Sequence, residues 1–412
     1  MDVNSEPSTS ITRRDRRGWL HAAAGGAVVL LSAADTRRMW AEAVPESNDD
    51  DASDARIDPD WIVHSTVPAN REPALPKLVQ SWVTPVEHFY VRSHAANPKV
   101  DSATFRLKVD GLVERPESFS LEALSTLPRV DVTATMTCAG NRRYEHSRTQ
   151  AIKGVPWREG AIGNAVWGGY RLSDLLRRVG VRSDARHVWF DGLDRIERSG
   201  GVIPFGASIP IQKAMVGSPA EDASPIGAIV CDTMNGKPLT PDHGFPLRLV
   251  VPGYIGARSV KWVGHIHVAD RPNPNHYQAT AYKLVQEATP LEWAERAAIY
   301  RFPINATLCE SIRDDENDRL KLAGYALPPG DPRRSIRSVD WSVDGGGTWR
   351  SAELIGPSRP LCWRLWKAEV PRSDATTSVW IRATDDVGQS QPEQTEWNKK
   401  GYLYNAIHRV TV

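Results

Sequence analysis

The run Thr137-Cys138-Ala139-Gly140-Asn141-Arg142-Arg143 sets one thiol beside two guanidiniums. Nearby positive charge favours the thiolate, the form that ligates metals or attacks electrophiles. Gly140 leaves room for the backbone to approach a ligand. Three more basic segments recur: Tyr90-Val91-Arg92-Ser93-His94, Asp242-His243-Gly244-Phe245-Pro246-Leu247-Arg248 and Gly256-Ala257-Arg258-Ser259-Val260-Lys261-Trp262. Each alone reads as solvated surface. Together, in a chain with 51 basic and 50 acidic residues, they predict a concentrated anion site. Phosphate and the oxyanions of sulfur or nitrogen all fit it. His265 and His267 can share a strand face and hold a metal, but the sequence favours structural histidines. Asp314-Asp315-Glu316-Asn317-Asp318 looks like a calcium loop. Arg319 fills the position that needs glycine, so the segment reads as a solvated acidic turn.

Several chemistries are excluded. The chain has no G-x-x-x-x-G-K-[ST] and no G-x-G-x-x-G, hence neither a P-loop nor a dinucleotide fingerprint. It has no H-E-x-x-H and no C-x-x-C-H, hence neither a zincin nor an attached c-type haem. A net charge of +1 argues against a nucleic-acid partner. Four cysteines in 412 residues do not make a disulfide scaffold.

These residues need a scaffold, and the length suits two or three domains. Residues 1–43 read as an export signal. Basic residues surround Arg13-Arg14, an apolar stretch runs from Trp19 to Ala34, and Ala41-Glu42-Ala43 fits a cleavage site. The paired arginines point to the twin-arginine route and a periplasmic destination. No later apolar run approaches spanning length, so no stable membrane insertion is expected after cleavage. Residues 44–60 are acidic and polar, and read as a linker. Phe105, Leu107 and Val109 alternate into Gly111 as a half-buried strand. Ser120 caps a short helix carrying Leu121 and Leu124, and Leu172, Leu175, Leu176 and Val179 form a helix stopped by Gly180. Beyond about Leu291 the pattern turns to strands. Val339, Trp341 and Val343 run into Asp344-Gly345-Gly346-Gly347 as a hairpin, and Val379, Ile381 and Ala383 alternate again. The fold class is α+β, a mixed domain over 61–290 followed by an all-β sandwich over 291–412.

Cys-Ala-Gly-Asn-Arg-Arg, Asp-His-Gly-Phe-Pro, and Val-Pro-Gly followed by Gly-Ala-Arg-Ser-Val-Lys-Trp, in that order, resemble the sulfite oxidase family of molybdenum enzymes. The resemblance covers roughly residues 60–412. It implies a molybdopterin domain followed by an immunoglobulin-like dimerisation domain, and a homodimer. It implies that Cys138 ligates molybdenum. Tyr90, Val91, Arg92, His94, Asp194, Ser208, His243, Arg248, Ser259, Val260 and Lys261 would hold the pterin and its phosphate. Relatives often carry His where this chain has Ser259. Arg92, Arg143, Trp157 and Tyr282 match the substrate pocket, and Lys400 stands where the family usually has Arg. Lys keeps the charge but loses the planar fork. The implied reaction is oxidation of sulfite to sulfate, with no haem in this chain and electrons passed to an external acceptor such as a c-type cytochrome. The rival readings are another molybdenum-dependent substrate (nitrate, a sulfoxide or carrier-bound sulfur) and a catalytically silent exported binding protein.

Overall fold

A computed structural model describes residues 56–57, 59–217, 226–371 and 378–412. The segment read as an export signal, and most of the segment read as a linker, lie outside the described residues. No helix among the described residues is long and apolar enough to cross a membrane.

The first ordered segment was not foreseen as sheet. Strands Arg56–Ile57, Trp61–Ser65, Asn70–Pro73 and Val91–Arg92 form an antiparallel sheet in chain order. Its last strand carries Arg92 into the middle of the molecule.

Two five-stranded sheets follow. In one, the strand Val263–Ala269 lies between Leu107–Gly111, to which it runs parallel, and His187–Gly192, to which it runs antiparallel. Strands Gly206–Pro210 and Glu117–Phe119 form its edges. The parallel pair is in register from His265 opposite Lys108 to Val268 opposite Gly111. Side chains alternate faces along a strand. Ile266 and Val268 therefore enter the main core with Leu107 and Val109, and Val263 joins them because the strand's register shifts between Val263 and His265, while His265 and His267 face out, half-buried. Phe105 is buried as expected, but the strand starts only at Leu107.

The other sheet is antiparallel and centred on the long pair Arg129–Thr137 and Ile162–Arg171. Its remaining members are Ile229–Met234, Lys237–Pro238 and Arg248–Val250. Helices are short. Leu121–Ser125 is capped by the Ser120 side chain, which accepts from the Ala123 N–H. Leu172–Val179 buries Leu172, Leu175, Leu176 and Val179 and ends at Gly180, where φ is 71°. That left-handed angle is cheap only without a Cβ.

From Asn305 on, two four-stranded sheets pack face to face. Strand Ile336–Ser342 turns through the glycines and pairs back with Arg350–Ser351. Ala306, Leu308, Leu320, Val339, Trp366 and Ile381 fill the space between the sheets. The acidic run at 314–318 is the turn joining strands Asn305–Asp314 and Arg319–Leu327.

Candidate active site

Cys138 directly follows the strand Arg129–Thr137, whose last four residues are buried. Its N–H donates to the Ala161 carbonyl at 2.9 Å, and its Sγ accepts from the Gly140 N–H at 3.4 Å. The next residues are tied to the C-terminal sheets. Asn141 Nδ2 donates to the Tyr325 hydroxyl at 3.0 Å, and the Leu403 N–H donates to the Ala139 carbonyl at 2.7 Å. Arg142, at φ 64°, turns away from the thiol. It forks onto Glu145 at 2.6 and 2.8 Å and reaches Asn305 and the Ala406 carbonyl at 2.7 and 2.9 Å. Arg143 is held by the carbonyls of Lys400 and Val155 at 2.9 and 2.8 Å.

The thiol therefore has a different pair of guanidiniums from the one its sequence neighbours suggest. Burial pushes the Cys138 thiol up, opposed by Arg143, the Gly140 N–H and Arg92. The expectation of easier ionisation is corrected: desolvation of a buried thiolate outweighs both arginines. A bound cation at sulfur would reverse that balance.

Tyr90, Arg92, His94, Cys138, Asp194, His243, Arg248, Ser259, Lys261 and Tyr282 line one cleft. The structure places the other singled-out residues outside that lining. Val91 and Val260 are buried behind it, each 1% exposed. Ser208 sits within the strand Gly206–Pro210, its hydroxyl accepting from the Asn273 N–H at 3.0 Å. Trp157 is fully buried against His64. A Cβ added at Gly140 would lie 2.7 Å from Arg143 Nη2 and 3.2 Å from Trp157 Cδ1, so both side chains pack on the cysteine loop. Lys400 reaches the loop through its carbonyl. Its side-chain charge, after burial and Arg198, helps to hold His276 down at about 4.

The cleft wall is cationic. Lys261 Nζ donates to Ser93 Oγ at 2.7 Å and to the Asp242 carbonyl at 2.9 Å. Arg248 reaches the carbonyls of His243 and Ser259 at 3.1 and 3.3 Å. Among the described residues neither cation pairs with a carboxylate. Burial and their mutual repulsion push Lys261 well down, and burial alone takes Arg248 to about 10. His243, desolvated and facing both cations, is held at about 3, and His94 is pushed well down by burial and then by Arg92 and Lys261. Neutral His94 meets the Tyr282 hydroxyl at 3.2 Å. Tyr282 has φ 53°, a costly angle for a bulky residue, and its ring stacks on Tyr402 with centroids 5.1 Å apart.

Phe89, Met136 and Phe205 also line the cleft and were not read from the sequence. Met136 had a usable signal: it lies two residues before Cys138, near the end of the strand that leads into it. Phe205 had none, since its ring stacks on His94 and Tyr277 from a distant loop. Tyr402, two residues after Lys400, was also missed. It lies beneath the Arg143 guanidinium, 5.3 Å from ring to Cζ.

Asp242 and Asp194 also line the cleft and act on Lys261 from a distance, but buried cations that form no ion pair are costly unless a ligand supplies the charge. Arg248 Nε and Trp157 Nε1 are moreover buried donors without a partner among the described residues. A soft sulfur donor, a cationic cleft and waiting N–H groups fit an anionic, phosphate-bearing cofactor whose metal binds thiolate.

Comparison with known proteins points the same way. The family described as "Oxidoreductase molybdopterin binding domain" matches residues 94–277, and "Mo-co oxidoreductase dimerisation domain" matches residues 296–412. The mitochondrial sulfite oxidase of Drosophila melanogaster is 37% identical over 84% of this chain, which spans 62% of that relative's length. The sulfite oxidase of Gallus gallus is 37% identical over 90% of this chain and 81% of its own. The sulfane dehydrogenase SoxCD from Paracoccus pantotrophus shares the fold, with a TM-score of 0.71 at 22% identity over 95% of this chain and 97% of that one. Laid over a cationic cleft beside a buried cysteine, these matches make the chain a member of the sulfite oxidase family of molybdenum–molybdopterin oxidoreductases.

Proposed function

We propose that the protein oxidises sulfite to sulfate and passes the electrons to an external acceptor such as a c-type cytochrome. The observation that carries this is the convergence of Arg92 and Arg143 on the Cys138 thiol, both close enough to act on its ionisation. In this reading Cys138 is the protein ligand to molybdenum. Arg248, Lys261 and His243 hold the pterin phosphate, with Tyr90, His94, Asp194 and Ser259 along its length. Val91, Val260 and Ser208 support those residues from behind. The bound cofactor supplies the two-electron, oxygen-atom chemistry.

The chain's own residues bind and orient the substrate. Arg92 and Arg143 attract a small dianion, and Lys400 adds charge from the C-terminal side. Arg143 is fixed through two carbonyls, so it keeps its place at little entropic cost when the anion arrives. The unpartnered Trp157 N–H is a further donor at the cysteine loop. Tyr282 donates its hydroxyl proton to neutral His94 or to a substrate oxygen, and the left-handed backbone keeps its ring over that position.

The organisation we propose is an export signal over 1–43, a linker over 44–60 whose last part, Arg56–Ile57, pairs onto the first sheet, a catalytic domain over 61–290 and a dimerisation domain over 291–412. The last division falls at the start of the short helix Pro290–Glu295. Export through the twin-arginine route to the periplasm, and a homodimer, complete the proposal.

The test uses purified full-length protein with its molybdenum content measured. Sulfite-dependent reduction of cytochrome c, in proportion to that content, is the expected result. Molybdenum at one per chain without any response to sulfite, but with turnover of nitrate or a sulfoxide, would keep the cofactor and overturn the substrate.

A further inference from the structure

On the outer face of the mixed five-stranded sheet, three ligand atoms meet. His265 Nε2 lies 2.8 Å from Asp110 Oδ1, and His267 Nδ1 lies 2.6 Å from the same oxygen. The three atoms all fall within 4.8 Å of one another. Two imidazoles aimed at one carboxylate oxygen give three of the four donors that a tetrahedral zinc ion takes. We propose that Asp110, His265 and His267 form a second metal site, separate from the molybdenum cleft, for a borderline divalent ion of the zinc class.

The groups behind the ligands support this. Lys108 Nζ holds the other Asp110 oxygen at 2.6 Å, which leaves Oδ1 for the ion. His265 turns its second nitrogen toward Asp191 Oδ2 at 3.6 Å, and Asp191 is itself oriented by Asn273 Nδ2 at 3.2 Å. A carboxylate behind a ligating histidine is the usual device for fixing its tautomer. The Trp189 ring packs 4.9 Å from His267. Both histidines sit on the central strand of the sheet, with the partners Asp110 and Asp191 set by register on the two flanking strands. Ligands on a strand interior are held more firmly than ligands on a loop.

The geometry needs little change. A tetrahedral ion with bonds of about 2.1 Å holds its ligands about 3.4 Å apart. Asp110 Oδ1 then recedes by about 0.6–0.8 Å from the two nitrogens, within reach of side-chain rotation. To ligate, each imidazole presents the lone pair of the nitrogen that faces Asp110, so its proton sits on the ring's other nitrogen, which in His265 faces Asp191; a proton leaves to solvent only from a ring that was cationic. The histidine side chains are 32% exposed and Asp110 20%, which gives the ion a path in and leaves a fourth position for water.

The experiment uses the molybdenum-loaded enzyme after dialysis against EDTA, with molybdenum assayed before and after. Calorimetric titration with ZnCl2 is expected to give one site per chain. The double variant His265→Gln/His267→Gln should weaken it by about 100-fold or more while keeping its molybdenum. Copper(II) bound to the unaltered protein is expected to show nitrogen hyperfine splitting from two imidazoles, a readout independent of whether the variant folds. No zinc binding at about 100 μM to the unaltered protein, undiminished binding in the double variant, or a copper spectrum without two nitrogens would each overturn the site.

Discussion

Replacing Arg142 with Met tests how the cysteine loop is held. The guanidinium is fully buried and makes four hydrogen bonds, two to Glu145 and one each to Asn305 and the Ala406 carbonyl. It also lies over the Tyr404 ring at 5.0 Å. Met fills much of the volume but leaves the Glu145 carboxylate, only 8% exposed, without its main counter-charge. The Asn305 amide oxygen and the Ala406 carbonyl lose a donor as well. Breaking a buried pair by removing one partner costs about 3–5 kcal/mol. In a chain this long each kcal/mol moves the thermal midpoint by about 1–2 °C, so a fall of roughly 3–10 °C is expected. Arg142→Lys, which keeps charge without the fork, should lose about half as much. The assays are thermal unfolding for the midpoint and urea unfolding for the free energy, on Arg142→Met, Glu145→Gln and the double variant. The double-mutant cycle should return a coupling of about 1.5 kcal/mol or more. Because Arg142 anchors the loop that presents Cys138, the Met variant should also retain less molybdenum. A midpoint within about 2 °C of the unaltered protein, with a coupling near zero, would refute the reasoning.

Other expectations follow from single contacts. His146 is fully buried, and neither ring nitrogen makes a well-formed hydrogen bond among the described residues, although the Glu396 backbone weakly favours the charged ring. Burial, and then Arg143, holds it at about 4. The unfolded chain then binds a proton near pH 6.5 that the folded chain refuses. Stability is complete above that pH and declines by up to about 3 kcal/mol as pH falls toward 4. His146→Phe should flatten that part of the acid-unfolding profile. Tyr282→Phe removes the hydroxyl that meets His94, and should lower sulfite kcat by about 100-fold with a smaller change in KM. Lys400→Met should cut kcat/KM for sulfite by about 10–100-fold and Lys400→Arg should not, as steady-state kinetics on molybdenum-matched samples would reveal. Gly140→Ala drives a methyl into Arg143 and Trp157, and should abolish turnover while leaving far-ultraviolet dichroism unchanged.

Local chemistry was legible in the sequence, and long-range chemistry was not. Ser120 announced its helix because capping is settled within three residues, and Leu172 to Val179 announced theirs by period alone. The Cys138 segment stood out because a thiol, a glycine and two arginines fell within six residues. Yet adjacency misassigned one of those arginines. Arg142 takes a left-handed turn and spends its charge on Glu145 and on a carbonyl 264 positions away, while Arg92, from a sheet that no pattern disclosed, supplies the second charge at the thiol. The ionisation of Cys138 was misjudged for a related reason. Desolvation depends on everything that covers the sulfur, and the strands and loops that cover it come from both halves of the chain. The same holds for His265 and His267. Their spacing gave a shared face, but a third ligand appears only when the parallel pairing sets Asp110 opposite His267. Register between distant strands is thus the quantity that turns two ordinary histidines into a chelating set, and a one-residue slip would send Asp110 into the core and dissolve it.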